Sequence, residues 1–329
     1  MDSGRTTRRV LSGAALAVSV LAGVSVAFGA ATVQPPPLRE ARWLAPERQM
    51  HALTHEPTEC LHAPADPQLA RGIAIGRAAF RTPLLLGGQA ARAGLSCNSC
   101  HRSGRGNPGF QFRGLSGAPG TADVTSSLMS SHRGDGINNP IAIPDLSGSV
   151  HKVSRAASDP ALETFIRGLI VEEFDGPEPS ALTLASLAHY VRALTPGACP
   201  PAHEQHIRFA NHLSHARSAV QAAQFALDAR DPATARLMLA SARTELGLID
   251  ERYAAPALAD DRQGLREADL ELAAIQQAID AGQADAGLRS TAWLADVARW
   301  AEPLARDEPR SLFNAERLAA SSGTDDGSR

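Results

Sequence analysis

Apolar residues recur at helical spacing in seven stretches of the chain, and the intervals between them carry little period of any kind. Over 67–80, Leu69, Ile73, Ile75, Ala79 and Phe80 predict a helix with Gly72 and Gly76 on one side. Leu162, Phe165, Ile166, Leu169 and Ile170 predict a second helix over about 159–174. Asp159 suits its N-cap, and Pro160 its first position, where a missing N–H costs nothing. Leu182, Leu184, Leu187, Tyr190, Val191 and Leu194 predict a third over about 179–194, ended by Pro196 and Gly197. Residues 203–318 differ in character, with alanine-rich helical stretches at 203–229, 232–253, 258–281 and 284–305 broken at Asp231-Pro232, Pro256 and Gly282. Leu227-Asp228-Ala229 recurs as Ile279-Asp280-Ala281 at the corresponding turn. Two related helical hairpins forming an up-down bundle are therefore expected.

The remaining segments are polar or irregular. Residues 82–158 are rich in Gly, Ser, Pro and Asn, and so long an irregular interval needs some other body to pack on. Residues 32–59, with Pro35-Pro36-Pro37, read as a linker or arm, and 319–329 as a disordered tail. At the start, Arg5, Arg8 and Arg9 precede the uncharged run Val10 to Ala27, and small residues follow at Gly29, Ala30 and Ala31. That order predicts a signal peptide over 1–31 and a periplasmic or other extracytoplasmic location. An uncleaved anchor is the alternative, since the charge-free run to Val33 is long enough to span a bilayer.

Composition narrows the fold class. Hydrophobic residues make up 43% of the chain but aromatics only 4%, so the core must be built from Ala, Leu, Val and Ile. Ala and Leu favour helices, and the aromatics that favour strands are scarce, so the chain is expected to be all-α. A formal net charge of -3 gives no strong attraction to nucleic acid. A membrane becomes a partner only if the N-terminal segment is retained. Four cysteines in an oxidising compartment then need explaining. Cys60 and Cys199 bracket the region of the other two and are the candidates for a disulfide.

Cys97-Asn98-Ser99-Cys100-His101 is a C-x-x-C-H motif, the attachment signature of c-type haem. Two thiols three positions apart on a turn of helix reach the two vinyl groups of one porphyrin, and the next residue projects its imidazole to the iron. A redox-active C-x-x-C pair would not need the adjoining histidine. A structural zinc site would need more ligands nearby than this sequence supplies. The motif thus predicts one covalent haem c on Cys97 and Cys100 with His101 as axial ligand to the haem iron.

A helix with Gly72 and Phe80, then C-x-x-C-H, then glycine-rich loops and a closing helix with Tyr190 resembles the cytochrome c fold. Phe80 to His101, Ile143-Pro144-Asp145-Leu146, and Glu172-Glu173-Phe174-Asp175-Gly176 through Leu194 are similar to the C-terminal half of bacterial di-haem cytochrome c peroxidases and their methylamine-utilisation relatives. The resemblance covers about residues 68–196 and departs from that family in having a single C-x-x-C-H, so the two-haem mechanism does not carry over. It implies a mono-haem cytochrome c domain over 60–200 followed by a helical bundle over 201–318. Electron transfer with redox protein partners is the expected function, and a peroxidase-like haem enzyme with an open distal site is the alternative.

The sixth ligand separates those two functions, because iron with two protein ligands passes electrons and iron with an open position binds peroxide or oxygen. Met129 is the one methionine of the loop region and the first candidate; His132 and His151 follow, and an open position remains. For an open site, His132 or the Glu172-Glu173 pair would supply the distal acid or base. Pro108 offers a backbone carbonyl to orient the proximal imidazole, and Arg102, Arg105 and Arg113 are candidates for the haem propionates. Asp135-Gly136-Ile137-Asn138-Asn139 reads as a turn. His203, His206, His212 and His215 fall half a turn out of phase on a single helix, so a solvated or partly packed face is expected rather than a metal site.

Overall fold

The computed structural model describes residues 38–125 and 128–323; the expected signal or anchor segment lies outside them. The described residues are mostly helical, with 61% of them in helices and few short strands. The principal helices are α1 (Gln49–Thr54), α2 (Pro67–Phe80), α3 (Gly88–Arg92), α4 (Cys97–Cys100), α5 (Ala161–Gly168) and α6 (Ala181–Ala193), then α7 (Phe209–Asp228), α8 (Pro232–Arg252), α9 (Ala259–Asp280), α10 (Ala286–Asp307) and α11 (Ala315–Gly323). The local causes are readable. Asp66 caps α2 by accepting from the Gln68 N–H at 2.9 Å, with Pro67 next to it. Ser180 caps α6 through the Thr183 N–H at 3.1 Å, and Asp231 caps α8 through the Thr234 N–H at 2.8 Å.

The four long helices pack in a ring: α7 on α8, α8 on α9, α9 on α10, and α10 back on α7. Helix α2 crosses α6 on one side and lies against α7 and α8 on the other. One apolar core therefore runs without interruption from Ile73 and Phe80 through Leu187 and Tyr190 to Val220, Leu246, Leu272, Trp293 and Leu304. Two antiparallel pairs of short strands tie distant segments. β1 (His55–Pro57) pairs with β4 (Glu204–His206), and β2 (Thr121–Ala122) with β3 (Ile141–Ala142). Cys60 and Cys199 form a disulfide close to the first pair.

Several expected boundaries move. The helix expected at 159–174 is α5 followed by a single π-helical turn, Leu169–Glu173, after which the Gly176 N–H closes on the Ile170 carbonyl at 2.7 Å. The helix expected from 203 begins at Phe209 instead, since 204–206 are held as a strand by a partner some 150 residues earlier. The segment read as an arm or linker is ordered from Leu38 onward, and the tail read as disordered is helical to Gly323. Leu38, Leu44 and Leu53 of the arm bury together with Leu318, which sits on the same helix just before that tail. Neither segment has an amphipathic period long enough to disclose a partner at the opposite end of the chain.

Candidate functional site

Helix α4 is one turn long and carries the motif. Ser96 starts it, with its N–H donating to Ser99 Oγ at 3.0 Å, and the His101 N–H closes the turn on the Cys97 carbonyl at 2.8 Å. The chain then bends sharply through Ser103 and Gly104, both at positive φ. Asn98 Oδ1 holds that bend by accepting from the Ser103 N–H at 2.9 Å, and Asn107 Nδ2 donates to the Ser99 carbonyl at 2.8 Å. Gly104 has a second reason to be glycine. A Cβ there would lie 2.5 Å from Leu194 Cδ1.

His101 Nδ1 lies 3.0 Å from the Pro144 carbonyl oxygen. A carbonyl only accepts, so Nδ1 carries the proton and Nε2 is left with a free lone pair. The expected orienting carbonyl, Pro108, is thereby replaced by Pro144, 43 residues beyond the histidine. Its position is fixed by an ion pair between Arg105 and Asp145 at 2.7 Å and by the Leu146 N–H on the Gly104 carbonyl at 3.1 Å. Burial holds the imidazole below its ordinary value, with the Pro144 carbonyl acting in the opposite direction. Phe80 lies 6.5 Å from the His101 ring and 5.2 Å from that of Tyr190, centroid to centroid. Tyr190 in turn donates to Glu59 at 2.6 Å.

Cys97 and Cys100 are free thiols, and burial pushes both up to about 12. A dithiol oxidoreductase needs the reverse, an attacking cysteine lowered to roughly 3.5–7.5. Both thiols border an apolar cluster made by Leu86, Ala90, Leu95, Phe110 and Met129, with Trp43, Phe112 and Phe174 around it. Met129 is buried there. The other sixth-ligand candidates are not brought to this cluster. The His132 side chain is 59% exposed and lies 3.8 Å from Asp175, and His151 is exposed. Of the three arginines, Arg113 is exposed, Arg105 is held by Asp145 and Arg102 is buried. Arg133 engages both Glu172 and Glu173, the latter at 2.6 Å. Asp135 accepts from the Ile137 N–H at 2.8 Å, forming a turn.

The four histidines of 203–215 separate. His206 pairs with His55 in the strands, while His212 and His215 point inward from α7 to Glu245 on α8. His212 Nδ1 lies 2.7 Å from Glu245 Oε2, and Glu56 and Arg81 complete a buried polar cluster beside Asn98 and Arg102. Sequence reading missed Glu245, although a lone carboxylate among Met238, Leu239, Ala242, Leu246 and Ile249 was its signal. Among the described residues no group of three or more His, Cys, Asp or Glu is arranged to hold a metal ion.

Burial alone would raise the Glu245 carboxyl, but the His212 hydrogen bond and the charges of His212 and His215 outweigh it and hold it well below the ordinary 4.5. A carboxylate depressed on folding stabilises above 4.5, and that contribution is lost as pH falls below it. Glu245→Gln is expected to cost about 1–3 kcal/mol at neutral pH. The gap from wild type should close in acid, as measured by urea unfolding from pH 7 to 3. A gap unchanged with pH would remove the ion pair from this account. No protein-family model, curated protein or solved structure matches the chain.

Proposed function

We propose that this protein is an exported mono-haem c-type cytochrome that transfers electrons between redox proteins, with a cytochrome c domain built around α2, α4 and α6 and a helical bundle built from α7 to α10. The observation that carries the reading is the placement of His101. Its Nδ1 is committed to the Pro144 carbonyl and its Nε2 is left free, directly beside two unpaired thiols on one helical turn. The donor set fits a haem: thiols for two vinyl groups, an imidazole for one axial position, apolar walls, and a buried thioether in Met129. Phe110, Met129 and Phe174 close on Cys100 around a cavity of about 30 Å³, so admitting a porphyrin requires these side chains to stand away from α4.

When bound, the haem supplies an iron that cycles between ferric and ferrous. The chain's own residues do the rest. The Arg105–Asp145 pair holds the loop whose Pro144 carbonyl orients His101. Phe80 and Tyr190 pack behind the imidazole. Leu86, Leu95, Phe110 and Phe174 would keep water from the group, and Met129 would supply a thioether, which favours ferrous iron. Redox partners would meet the protein through a small, transient interface. The Cys60–Cys199 disulfide supports an oxidising compartment. Among the described residues no helix is long and apolar enough to cross a membrane.

The test is an optical and EPR spectrum of the purified protein, oxidised and reduced, with and without carbon monoxide. A ferric charge-transfer band of methionine ligation and no carbon monoxide shift are expected. Met129→Ala should abolish that band and lower the potential by a sizeable part of the ~0.8 V that axial ligation spans. A high-spin ferric signal with ready carbon monoxide binding in wild type would replace electron transfer by the peroxidase-like alternative, with Glu173 as its buried carboxylate. Absence of bound haem after expression with a haem-attachment system would remove both.

A further inference from the structure

On the side of α2 away from α6, a groove runs between α2, α7 and the chain at Leu61–Pro64. It encloses about 240 Å³, less than the ~300–1,000 Å³ typical of drug-sized ligand sites. Its wall is apolar, formed chiefly by Leu61, Pro64, Ala70, Ile73 and Ala74. Its inner end is polar and under-satisfied. Arg81 Nε is buried without a partner. His215 Nδ1 is also buried without a hydrogen bond, its closest carboxylate oxygen being Glu245 Oε2 at 3.8 Å. The carboxylates that balance Arg81 act on it through charge, and they are committed elsewhere. Glu59 takes Arg77 at 2.7 Å and Tyr190 at 2.6 Å, Glu56 takes Gln205 at 2.9 Å, and Glu245 takes His212 at 2.7 Å.

A buried guanidinium N–H without a partner is costly unless an acceptor reaches it. Water would satisfy the donors but would leave Ile73 and Ala74 wet. A bare inorganic anion would do the same. An uncharged hydrocarbon would cover the wall and leave Arg81 unmet. One ligand chemistry answers both ends. We propose that this groove binds a small amphiphilic carboxylate, its head group on Arg81 and His215 and its short hydrocarbon chain along Ile73, Ala74 and Pro64. The site stands on this geometry alone and does not depend on haem in the protein.

Octanoate is the probe, titrated calorimetrically into the full chain, with octanol and acetate alongside. Octanol keeps the chain without the charge, and acetate keeps the charge without the chain. Octanoate is expected to bind at one saturable site at least tenfold more tightly than either. Ala74→Phe, which fills the groove from a half-buried position on α2, should abolish binding while leaving the thermal melt of the free protein near wild type. Arg81→Gln should weaken octanoate at least tenfold and leave octanol unchanged. If Arg81→Gln does not fold, Ala74→Phe decides alone. Equal affinity for octanol and octanoate, or octanoate binding that survives Ala74→Phe, overturns the proposal.

Discussion

Replacing Cys60 and Cys199 together with serine is expected to lower the free energy of unfolding by about 5 kcal/mol. The bridge spans 139 residues, so it restrains the unfolded chain more than a local staple would. The chain-entropy relation gives about 5 kcal/mol for a loop of this size, and native disulfides generally contribute ~2–5. The folded side should change little. The Thr195 N–H meets the Cys60 carbonyl at 2.9 Å, the His62 N–H meets the Ala193 carbonyl at 2.9 Å, and the Thr58 N–H meets the His203 carbonyl at 3.0 Å, so backbone bonds keep both ends together without the sulfurs. Denaturant unfolding of the double variant, which leaves Cys97 and Cys100 untouched, measures the difference. A loss below about 1 kcal/mol would mean that the reduced unfolded chain is already compact at these positions.

Gly76→Ala is the second large effect, at about 3 kcal/mol or more. Where α2 crosses α6, a Cβ on Gly76 would sit 2.5 Å from the Ser186 carbonyl carbon and 2.9 Å from Tyr190 Cβ, and closer still to the Ser186 carbonyl oxygen. The obstacle is backbone, so no rotamer relieves it and the helices must part. Tyr190 and Phe80 would move with them, and Phe80 is the ring beside His101. Gly72, one turn earlier, supplies the control. Its added Cβ would meet only the ring of His189, at 2.8 Å from Nδ1, and that side chain can turn away. With alanine the better helix former by roughly 0.5–1 kcal/mol, Gly72→Ala should be near neutral. Thermal melts of the two variants decide the matter, and equal losses would mean that the crossing is looser than described.

The sequence disclosed the features whose signal is local. Helix α2 was legible to its terminal residues because its apolar stripe runs unbroken from Leu69 to Phe80 behind Pro67. The motif at Cys97–His101 was legible as chemistry before any fold, since it spans five residues. Gly72 and Gly76 were legible as one face of that helix, but which of them meets α6 depends on the crossing point, which no single-helix pattern contains. Pro144 as the partner of His101 could not be read for the same reason, being a backbone carbonyl whose position is set by a distant ion pair. Glu245 was hidden twice, by its burial and by the misplaced start of α7, which put four histidines on one helix where only His212 and His215 belong.

The continuity of the apolar core through α2 and α6 into the four long helices bears on how the molecule comes apart. Phe80 and Tyr190 share one continuous apolar cluster with Val220, Leu246 and Trp293, alongside the buried polar group around Glu245. Separating the two groups of helices would expose the faces of α2, α7 and α8 that now cover one another. Neither group can therefore melt at a cost much below that of the whole, and heat should register them as one cooperative transition. By the same linkage, whatever binds in the groove on α2 or beside α4 raises the thermal resistance of α9 and α10, which touch neither. The long C-terminal helices are in this sense the buttress of the motif rather than a passenger behind it.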